Sequence, residues 1–214
     1  MQPDALKTGG EPARRPIASR SSGWAIALSR RLAASSVTPN QISVASVVFA
    51  GFGAALIALG ATPLAWLAAA VCVQLRLVCN LLDGMVAVEG GKKSAVGAIY
   101  NEFPDRVADT LLLVPVGYAA GLPWLGWAAA LLAALTAYVR VFGGSLGLAQ
   151  SFDGVMAKQR RMAALTLGLV AQSVEWTVSD TRWSLLIAIA VVAAGSLVTC
   201  WTRSAAIADG LRRA

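Results

Sequence analysis

The sequence predicts an all-α integral membrane protein with six transmembrane helices, an N-terminal interfacial helix and both termini in the cytoplasm. Of its 214 residues, 57% are hydrophobic and only 14% are charged. The mean hydropathy of +0.65 is far above that of a soluble domain. The apolar residues fall into six runs, each near the roughly 20 residues that a helix needs to cross a bilayer. We place these runs at residues 41–60, 64–88, 97–119, 123–147, 159–178 and 183–203.

The six runs define one membrane domain, residues 24–205, between two polar ends. Residues 1–23 are rich in Pro and Gly and contain no apolar signal segment, so we expect a disordered cytoplasmic arm. Residues 206–214 are expected to form a short cytoplasmic tail. Proline stands at or near the start of several runs, where a helix tolerates it best, at Pro39, Pro63, Pro104 and Pro123.

The segment before the first run, residues 24–36, is too short to cross the membrane. Its Trp24 and the basic pair Arg30 and Arg31 suit a helix that lies in the membrane interface. The alternative is that the segment only flanks the first span. We expect the interfacial helix, because Trp and paired arginines are favoured at the level of the headgroups.

Lysine and arginine predict the orientation of the helices, because cytoplasmic connections of membrane proteins carry an excess of both. On one side, the connections at residues 61–63, 120–122 and 179–182 contain a single basic residue, Arg182. The other side contains Lys7, Arg14, Arg15, Arg20, Arg30, Arg31, Lys92, Lys93, Lys158, Arg160, Arg161, Arg203, Arg212 and Arg213. This bias places both termini in the cytoplasm. We interpret the net charge of +7 as topology and lipid signals, and expect no nucleic-acid partner.

The residue types exclude several kinds of chemistry. The chain has no histidine, which excludes His-based acid–base catalysis and His metal ligands and leaves Asp and Glu as the candidate bases. Its cysteines, Cys72, Cys79 and Cys200, lie in apolar runs and form no CxxC pair. Neither a disulfide framework nor a zinc site is therefore indicated.

Acidic residues concentrate between residues 80 and 109, on both sides of a Gly-Lys loop. Asn80 and Asp83 are three residues apart near the end of the second run. Asn101, Asp105 and Asp109 are each four apart at the start of the third. Such spacings place side chains on one face of a helix, and two antiparallel helices can turn these faces toward each other. Oxygen ligands at this position suit a hard cation such as Mg²⁺, Mn²⁺ or Ca²⁺.

Two glycines flank this acidic cluster. Gly84 follows Asp83 directly, and Gly97 lies one helical turn before Asn101. A glycine beside a metal-binding carboxylate lets a nucleotide or a phosphate approach the backbone closely. The alternative, which stays open, is close packing between helices through small residues.

The spacing of the whole stretch resembles the signature of the CDP-alcohol phosphotransferase family, D-x2-D-G-x2-A-R-x8-G-x3-D-x3-D. Here the pattern reads Asn80-x2-Asp83-Gly84-x2-Ala87-Val88-x8-Gly97-x3-Asn101-x3-Asp105. The stretch TPNQIS before the first run also resembles the family. AYVRVFGGSLGL and GVMAKQRRMA are similar to the substrate-binding region of its inositol-phosphate branch. With the six runs, the resemblance covers most of residues 24–203.

The resemblance implies an enzyme of phospholipid synthesis in the cell (inner) membrane. Such an enzyme moves a phosphatidyl group from CDP-diacylglycerol to an alcohol acceptor and releases CMP, with an active site that faces the cytoplasm. The family's carboxylates hold divalent metal, Mg²⁺ or Mn²⁺, and Asp105 is the expected base, with Asp83 as the second catalytic carboxylate. The implied metal ligands are Asn80, Asp83, Asn101 and Asp105, and the implied nucleotide-binding residues are Gly84, Ala87 and Gly97. The family also implies a homodimer.

Three positions depart from the family pattern. Asn80 and Asn101 replace the first and third aspartates, and Val88 replaces the arginine. In the family four aspartates balance two divalent ions, whereas this chain keeps half of that negative charge. We therefore expect one tightly held metal ion, or two with help from lipid phosphates. A catalytically altered member that binds lipid or nucleotide is the alternative; a transporter is a further one, which no pair of broken helices supports.

The remaining charges indicate an ion pair and an anion site. Arg76 and Asp109 each lie about 9 Å deeper in their helices than the motif residues, at about 1.5 Å per residue, so we expect them to pair. The alternative is that Asp109 is a further metal ligand. A second group of bases, in the fourth run and at the start of the fifth, is expected to bind lipid phosphate or a phosphorylated acceptor such as glycerol phosphate or inositol phosphate. This group consists of Arg140, Lys158, Arg160 and Arg161.

We assign no functional role to the other charged residues of the loop region. Glu102 and Arg106 have the spacing of an i,i+4 pair on one helix. Glu89 is expected to be solvated, and Lys92 and Lys93 are expected to form a solvated loop with lipid contacts.

Overall fold

The computed structural model describes residues 18–60 and 62–213, and this part of the chain is entirely helical. A 3-10 helix at Ala18–Ser21 comes first. The α-helices that follow are α1 (Gly23–Ala34), α2 (Pro39–Leu59), α3 (Pro63–Val88), α4 (Gly97–Ala119), α5 (Pro123–Ser145), α6 (Lys158–Val178) and α7 (Trp183–Arg213). All six predicted apolar runs are helices, and the shorter predicted N-terminal helix corresponds to α1.

Local sequence signals explain where the helices begin. Thr38 caps α2, because its hydroxyl accepts a hydrogen bond from the Gln41 amide while the Gln41 side chain accepts one from the Thr38 amide. Pro39, Pro63 and Pro123 each stand at the start of a helix. At this position a backbone N–H would have no acceptor within the helix, so its absence in proline costs nothing. The expectation for Pro104 was wrong. Pro104 lies inside α4, where its ring removes one helical hydrogen bond just before Asp105.

The six long helices form a closed ring in the order α3, α2, α4, α5, α7, α6 and back to α3. α3 and α4 make little direct contact, because α2 packs against both of them. The acidic faces of α3 and α4 therefore look into the ring instead of packing on each other. The core of the ring is apolar and contains Trp66, Leu112, Leu113, Leu165, Leu169 and Ile189.

Four helices, α2, α3, α5 and α7, are long and apolar enough to cross a membrane. Their outward faces carry large apolar side chains, such as Phe52 and Trp201, which are 60% and 76% exposed. An exposed apolar belt of this kind suits contact with lipid. α4 and α6 have similar lengths, 23 and 21 residues, and contain four buried charged residues, Asp105, Asp109, Lys158 and Arg161.

The N-terminal region covers the end of α3. Of the predicted disordered arm, residues 1–17 lie outside the described residues, and Ala18–Ser21 is helical. α1 packs its Ala25 against Leu81 and Met85 of α3. At the other end of the chain, α7 continues without a break through the predicted tail to Arg213.

Candidate functional site

Six buried charged side chains lie close together on α3, α4 and α6. Three carboxylates, those of Asp83, Asp105 and Asp109, are buried here. Three cations, Arg76, Lys158 and Arg161, are buried among them. We call these six side chains the buried charge cluster. Charges excluded from water need partners of opposite sign, and in this cluster each carboxylate has a different set of partners.

Asp109 lies deepest and pairs with two arginines. Its Oδ1 lies 2.6 Å from Arg76 Nη2, and its Oδ2 lies 2.6 Å from Arg161 Nη2. Arg76 comes from α3 and Arg161 from α6, so this one carboxylate joins three helices of the ring. The pairing with Arg76 has the geometry expected from residue depth. Arg161 does not face an open anion pocket, since Asp109 already binds its guanidinium.

Asp105 is surrounded by cations. Its Oδ1 forms a salt bridge with Lys158 Nζ and lies 3.5 Å from Arg76 Nη2. Its Oδ2 lies 3.6 Å from Nη2 of Arg106, which is 24% exposed at the rim of the cluster. A carboxylate held by three cations is stabilised in its charged form. Both oxygens of Asp105 are therefore engaged with cations in this arrangement.

Asp83 has one carboxylate oxygen without a hydrogen-bond partner among the described residues. Its Oδ2 accepts a hydrogen bond of 2.7 Å from the Ser43 hydroxyl. Its Oδ1 is buried and has no hydrogen-bond partner within the described part of the chain. Lys158 and Asp105 are close enough to act on this carboxylate electrostatically. Ser43 belongs to the stretch TPNQIS, which the sequence linked to the motif without assigning this residue a role.

The remaining motif residues differ in exposure. The amide nitrogen of Asn80 is buried without a hydrogen-bond partner among residues 18–60 and 62–213, whereas Asn101 is exposed. Gly84 faces Arg20, whose Nη2 would lie 3.6 Å from a Cβ at position 84. The sequence did not single out Arg20, because it stands in a polar arm far from the motif. Gly97 and Ala87 are partly exposed near the same end of the ring.

The set of residues predicted to bind metal does not fit two divalent ions. Across the described residues, no group of three or more His, Cys, Asp and Glu side chains could hold a metal ion. Asp105 is occupied by Lys158 and Arg76, and Asn101 is exposed. Only Asp83 Oδ1 and the Asn80 amide remain, and this single free carboxylate is too little to ligate and balance two divalent ions.

Arg140 lies in a separate group of side chains. It forms a salt bridge with Glu102, donates a hydrogen bond of 2.9 Å from Nη1 to Gln150 Oε1, and stacks over the Phe152 ring at 4.9 Å. The predicted pair between Glu102 and Arg106 was wrong, since Glu102 binds Arg140 on α5 and Arg106 lies against Asp105. Helix spacing alone could not distinguish these partners.

The four predicted anion-binding bases therefore divide among three places. Lys158 and Arg161 belong to the buried charge cluster, and Arg140 pairs with Glu102. Arg160 is exposed and donates a hydrogen bond of 3.1 Å to the Gly154 carbonyl. In the loop before α4, Lys92 is not simply solvated. Its ammonium donates to the carbonyls of Ser35 and Val37, at 2.5 and 3.0 Å, and so fastens the connection between α1 and α2.

Comparisons with known proteins place this arrangement in a known fold. No protein-family model matches the chain. Inner membrane protein YnbA of Escherichia coli is 29% identical over 175 residues, which is 78% of this chain and 80% of YnbA. Phosphatidylinositol phosphate synthase of Mycobacterium tuberculosis, in a crystal structure with CDP-DAG bound, superposes with a TM-score of 0.71 at 19% identity. The superposition covers 86% of this chain and 92% of the synthase.

The chain has the fold of this synthase. A second crystal structure of the same protein, in complex with manganese and citrate, gives the same TM-score of 0.71 at 19% identity and covers 86% of this chain and 88% of the synthase. Its apo form gives 0.66 at 19% identity, over 83% of this chain and 92% of the synthase. The helical ring is thus shared at low sequence identity, and the residues inside it have to be judged by their own contacts.

Proposed function

We propose that the protein is an integral membrane phosphotransferase that moves a phosphatidyl group from CDP-diacylglycerol to an alcohol acceptor and releases CMP. The observation that supports this proposal is the buried charge cluster, in which Asp83 Oδ1 has no hydrogen-bond partner among the described residues and Lys158 pairs with Asp105. The motif spacing from Asn80 to Asp105 and the fold shared with a CDP-DAG-bound synthase support the same chemistry.

The proposed membrane arrangement has six spans, with both termini and the site on the cytoplasmic side. Four spans are the apolar helices α2, α3, α5 and α7. α4 and α6 complete the ring between them, and their charges point inward, where they pair with each other. The Lys and Arg distribution supports this orientation. YnbA, the relative from Escherichia coli, is an inner membrane protein, and we propose the same membrane here.

In the proposed reaction, the cations of the site hold the diphosphate of the donor. Lys158 belongs to the buried charge cluster, and Arg106 lies at its rim against Asp105. Arg20 lies over Gly84 and supplies a guanidinium where the motif has Val88 in place of arginine. Guanidinium groups bind phosphate oxygens with strong, charge-assisted hydrogen bonds. These contacts orient the phosphorus for attack and stabilise the negative charge that develops on the leaving CMP.

The acceptor hydroxyl loses its proton to Asp83 in this proposal. The hydroxyl oxygen forms a bond to the phosphorus of the phosphatidyl group, the bond from that phosphorus to the CMP oxygen breaks, and the proton goes to Asp83 Oδ1. Ser43 holds the other carboxylate oxygen, so Oδ1 points in a fixed direction. Asp105, the base expected from the motif, instead positions Lys158. We further propose that Arg140 and Arg160 bind a phosphate on the acceptor and that the protein acts as a homodimer.

The test is a CMP-release assay on the full-length protein in lipid nanodiscs. CDP-diacylglycerol would be supplied with a panel of neutral and phosphorylated alcohols, and released CMP would be measured by chromatography. We expect CMP and a matching new phospholipid with at least one acceptor, and loss of both with Asp83→Asn. Hydrolysis without a new lipid, or equal rates for wild type and D83N, would contradict the proposal.

A second candidate function is favoured by the contacts of Asp105. A carboxylate already neutralised by Lys158 and Arg76 is compatible with a protein that binds a CDP-lipid or a nucleotide without transferring it. Binding of labelled CDP-diacylglycerol to the same nanodiscs separates the two candidates. Binding without CMP release from any acceptor would favour the binding protein, and CMP release with a new lipid product would exclude it.

A further inference from the structure

We infer that Lys158 takes the place of a divalent metal ion in this site, so that the protein carries out its function without Mg²⁺ or Mn²⁺. The ammonium of Lys158 contacts Asp105, one of the carboxylates expected to bind metal, and acts electrostatically on Asp83, the other. One cation is thus bound to a carboxylate that the sequence assigns to a metal. The part of the inference that concerns catalysis rests on the proposed function. The part that concerns metal binding at the same site does not.

The charge balance supports the inference. Within the buried charge cluster, Asp83, Asp105 and Asp109 contribute three negative charges. Arg76, Lys158 and Arg161 contribute three positive charges, so the six side chains are neutral together without any bound ion. A divalent ion would leave an excess of positive charge in a site shielded from water, where uncompensated charge is strongly unfavourable.

The unsatisfied polar atoms point in the same direction. Buried nitrogens without a hydrogen-bond partner in the described chain include Nε and Nη1 of Arg76, Nε of Arg106 and Nε of Arg161. Among the carboxylate oxygens of the described residues at the site, only Asp83 Oδ1 is buried without a hydrogen-bond partner. Donors exceed acceptors, so the site has more capacity for an anion, such as the diphosphate of a CDP-lipid, than for a further cation.

The replacement of two motif aspartates fits this arrangement. With aspartate at positions 80 and 101, the cluster would carry two more negative charges, and a metal ion would be needed to balance them. Asn80 and Asn101 remove that requirement. Lys158 then supplies the positive charge that stabilises the departing CMP oxygen, while the proton of the acceptor goes to Asp83 and no metal takes part in the transfer.

The first test measures metal binding and activity on the same wild-type nanodiscs. Titration with Mn²⁺, followed by the electron paramagnetic resonance signal of free Mn²⁺, is expected to show no saturable binding. CMP release is expected to change less than about twofold after EDTA treatment. Saturable binding of Mn²⁺, or a loss of activity in EDTA that Mn²⁺ restores, would overturn the inference. If no acceptor supports CMP release, the proposed function fails, and the Mn²⁺ titration still decides the inference.

The second test changes the charge of the cluster. Lys158→Gln and the double variant Asn80→Asp with Asn101→Asp each make the site more negative, and both are expected to gain Mn²⁺ affinity by at least about tenfold, or about 1.4 kcal/mol. Lys93→Gln, which removes the same charge from an exposed loop position, is the matched control and is expected to remain like wild type. Well-folded variants, judged by gel filtration, that gain no Mn²⁺ affinity would overturn the inference.

Discussion

Arg76 on α3 and Asp109 on α4 meet inside the helical ring, with 2.6 Å between Nη2 and Oδ1. The two helices have little direct backbone contact, so this ion pair is one of the links that cross the interior between them. Arg161 of α6 binds the other oxygen of Asp109. The position of α3, α4 and α6 relative to one another therefore depends on a single carboxylate and two guanidinium groups.

We predict that Asp109→Asn destabilises the protein more than Arg76→Met. The first change removes the anion that Arg161 and Arg76 share and leaves Arg76 only its longer contact with Asp105, whereas the second leaves Asp109 with Arg161 as a partner. Breaking a buried ion pair from one side costs about 3–5 kcal/mol. Thermal unfolding in detergent, followed by circular dichroism, measures which of the two variants is less stable. A smaller loss for D109N than for R76M would contradict the assigned network.

Asp83→Asn is predicted to lower CMP release by about 10² to 10⁴-fold, the range for loss of a general base. Binding of CDP-diacylglycerol should change little, because the amide keeps the shape of the side chain and one acceptor oxygen. Asp153→Asn, at an exposed position, is the control. A parallel loss of binding and of turnover in D83N would argue for a structural role of this carboxylate instead.

Arg20→Gln is predicted to weaken binding of CDP-diacylglycerol by about tenfold, or about 1.4 kcal/mol. The guanidinium lies over Gly84. Its replacement by glutamine would remove a charge-assisted hydrogen bond to the diphosphate. Equilibrium binding to nanodiscs with labelled lipid measures the change. Arg31→Gln on the exposed part of α1 is the control, and equal affinities for the two variants would show that Arg20 has no part in the site.

Arg140→Gln is predicted to raise KM for a phosphorylated acceptor and to leave KM for a neutral alcohol unchanged. In the structure Arg140 is held by Glu102 and Gln150, which orient its guanidinium. Steady-state assays with the two classes of acceptor measure the difference. Arg213→Gln, near the end of α7, serves as the control. An equal rise in KM for both classes would mean that Arg140 only stabilises the fold.

Thr38→Ala is predicted to lower the free energy of unfolding by about 1 kcal/mol, the usual effect of losing an N-cap. The hydroxyl of Thr38 accepts from the Gln41 amide at the start of α2, next to the connection that Lys92 fastens. Chemical denaturation in detergent measures the change. Thr202→Ala, whose hydroxyl only donates to a carbonyl one turn earlier in α7, should have a smaller effect.

Sequence periodicity predicted the helices well, because a run of about 20 apolar residues has few structures available to it in a bilayer. The partnership of Arg76 and Asp109 could also be anticipated, since both depths follow from the helical rise. The salt bridge between Lys158 and Asp105 could not. These residues are 53 positions apart, and their contact depends on which helices are neighbours in the ring. The pairing of Glu102 with Arg140, across 38 positions, is undetermined by sequence for the same reason.

The division of charges among α3, α4 and α6 has a consequence for how the chain is made. Ribosomes release α3 and α4 before α6, so Asp105 and Asp109 at first have Arg76 and Arg106 as cationic partners but not the two cations of α6. An unpaired aspartate at the centre of a helix opposes insertion by about 2.5–3.5 kcal/mol. The arrival of Lys158 and Arg161 with α6 offsets that penalty, so the buried charge cluster is complete only when α6 has joined the earlier helices.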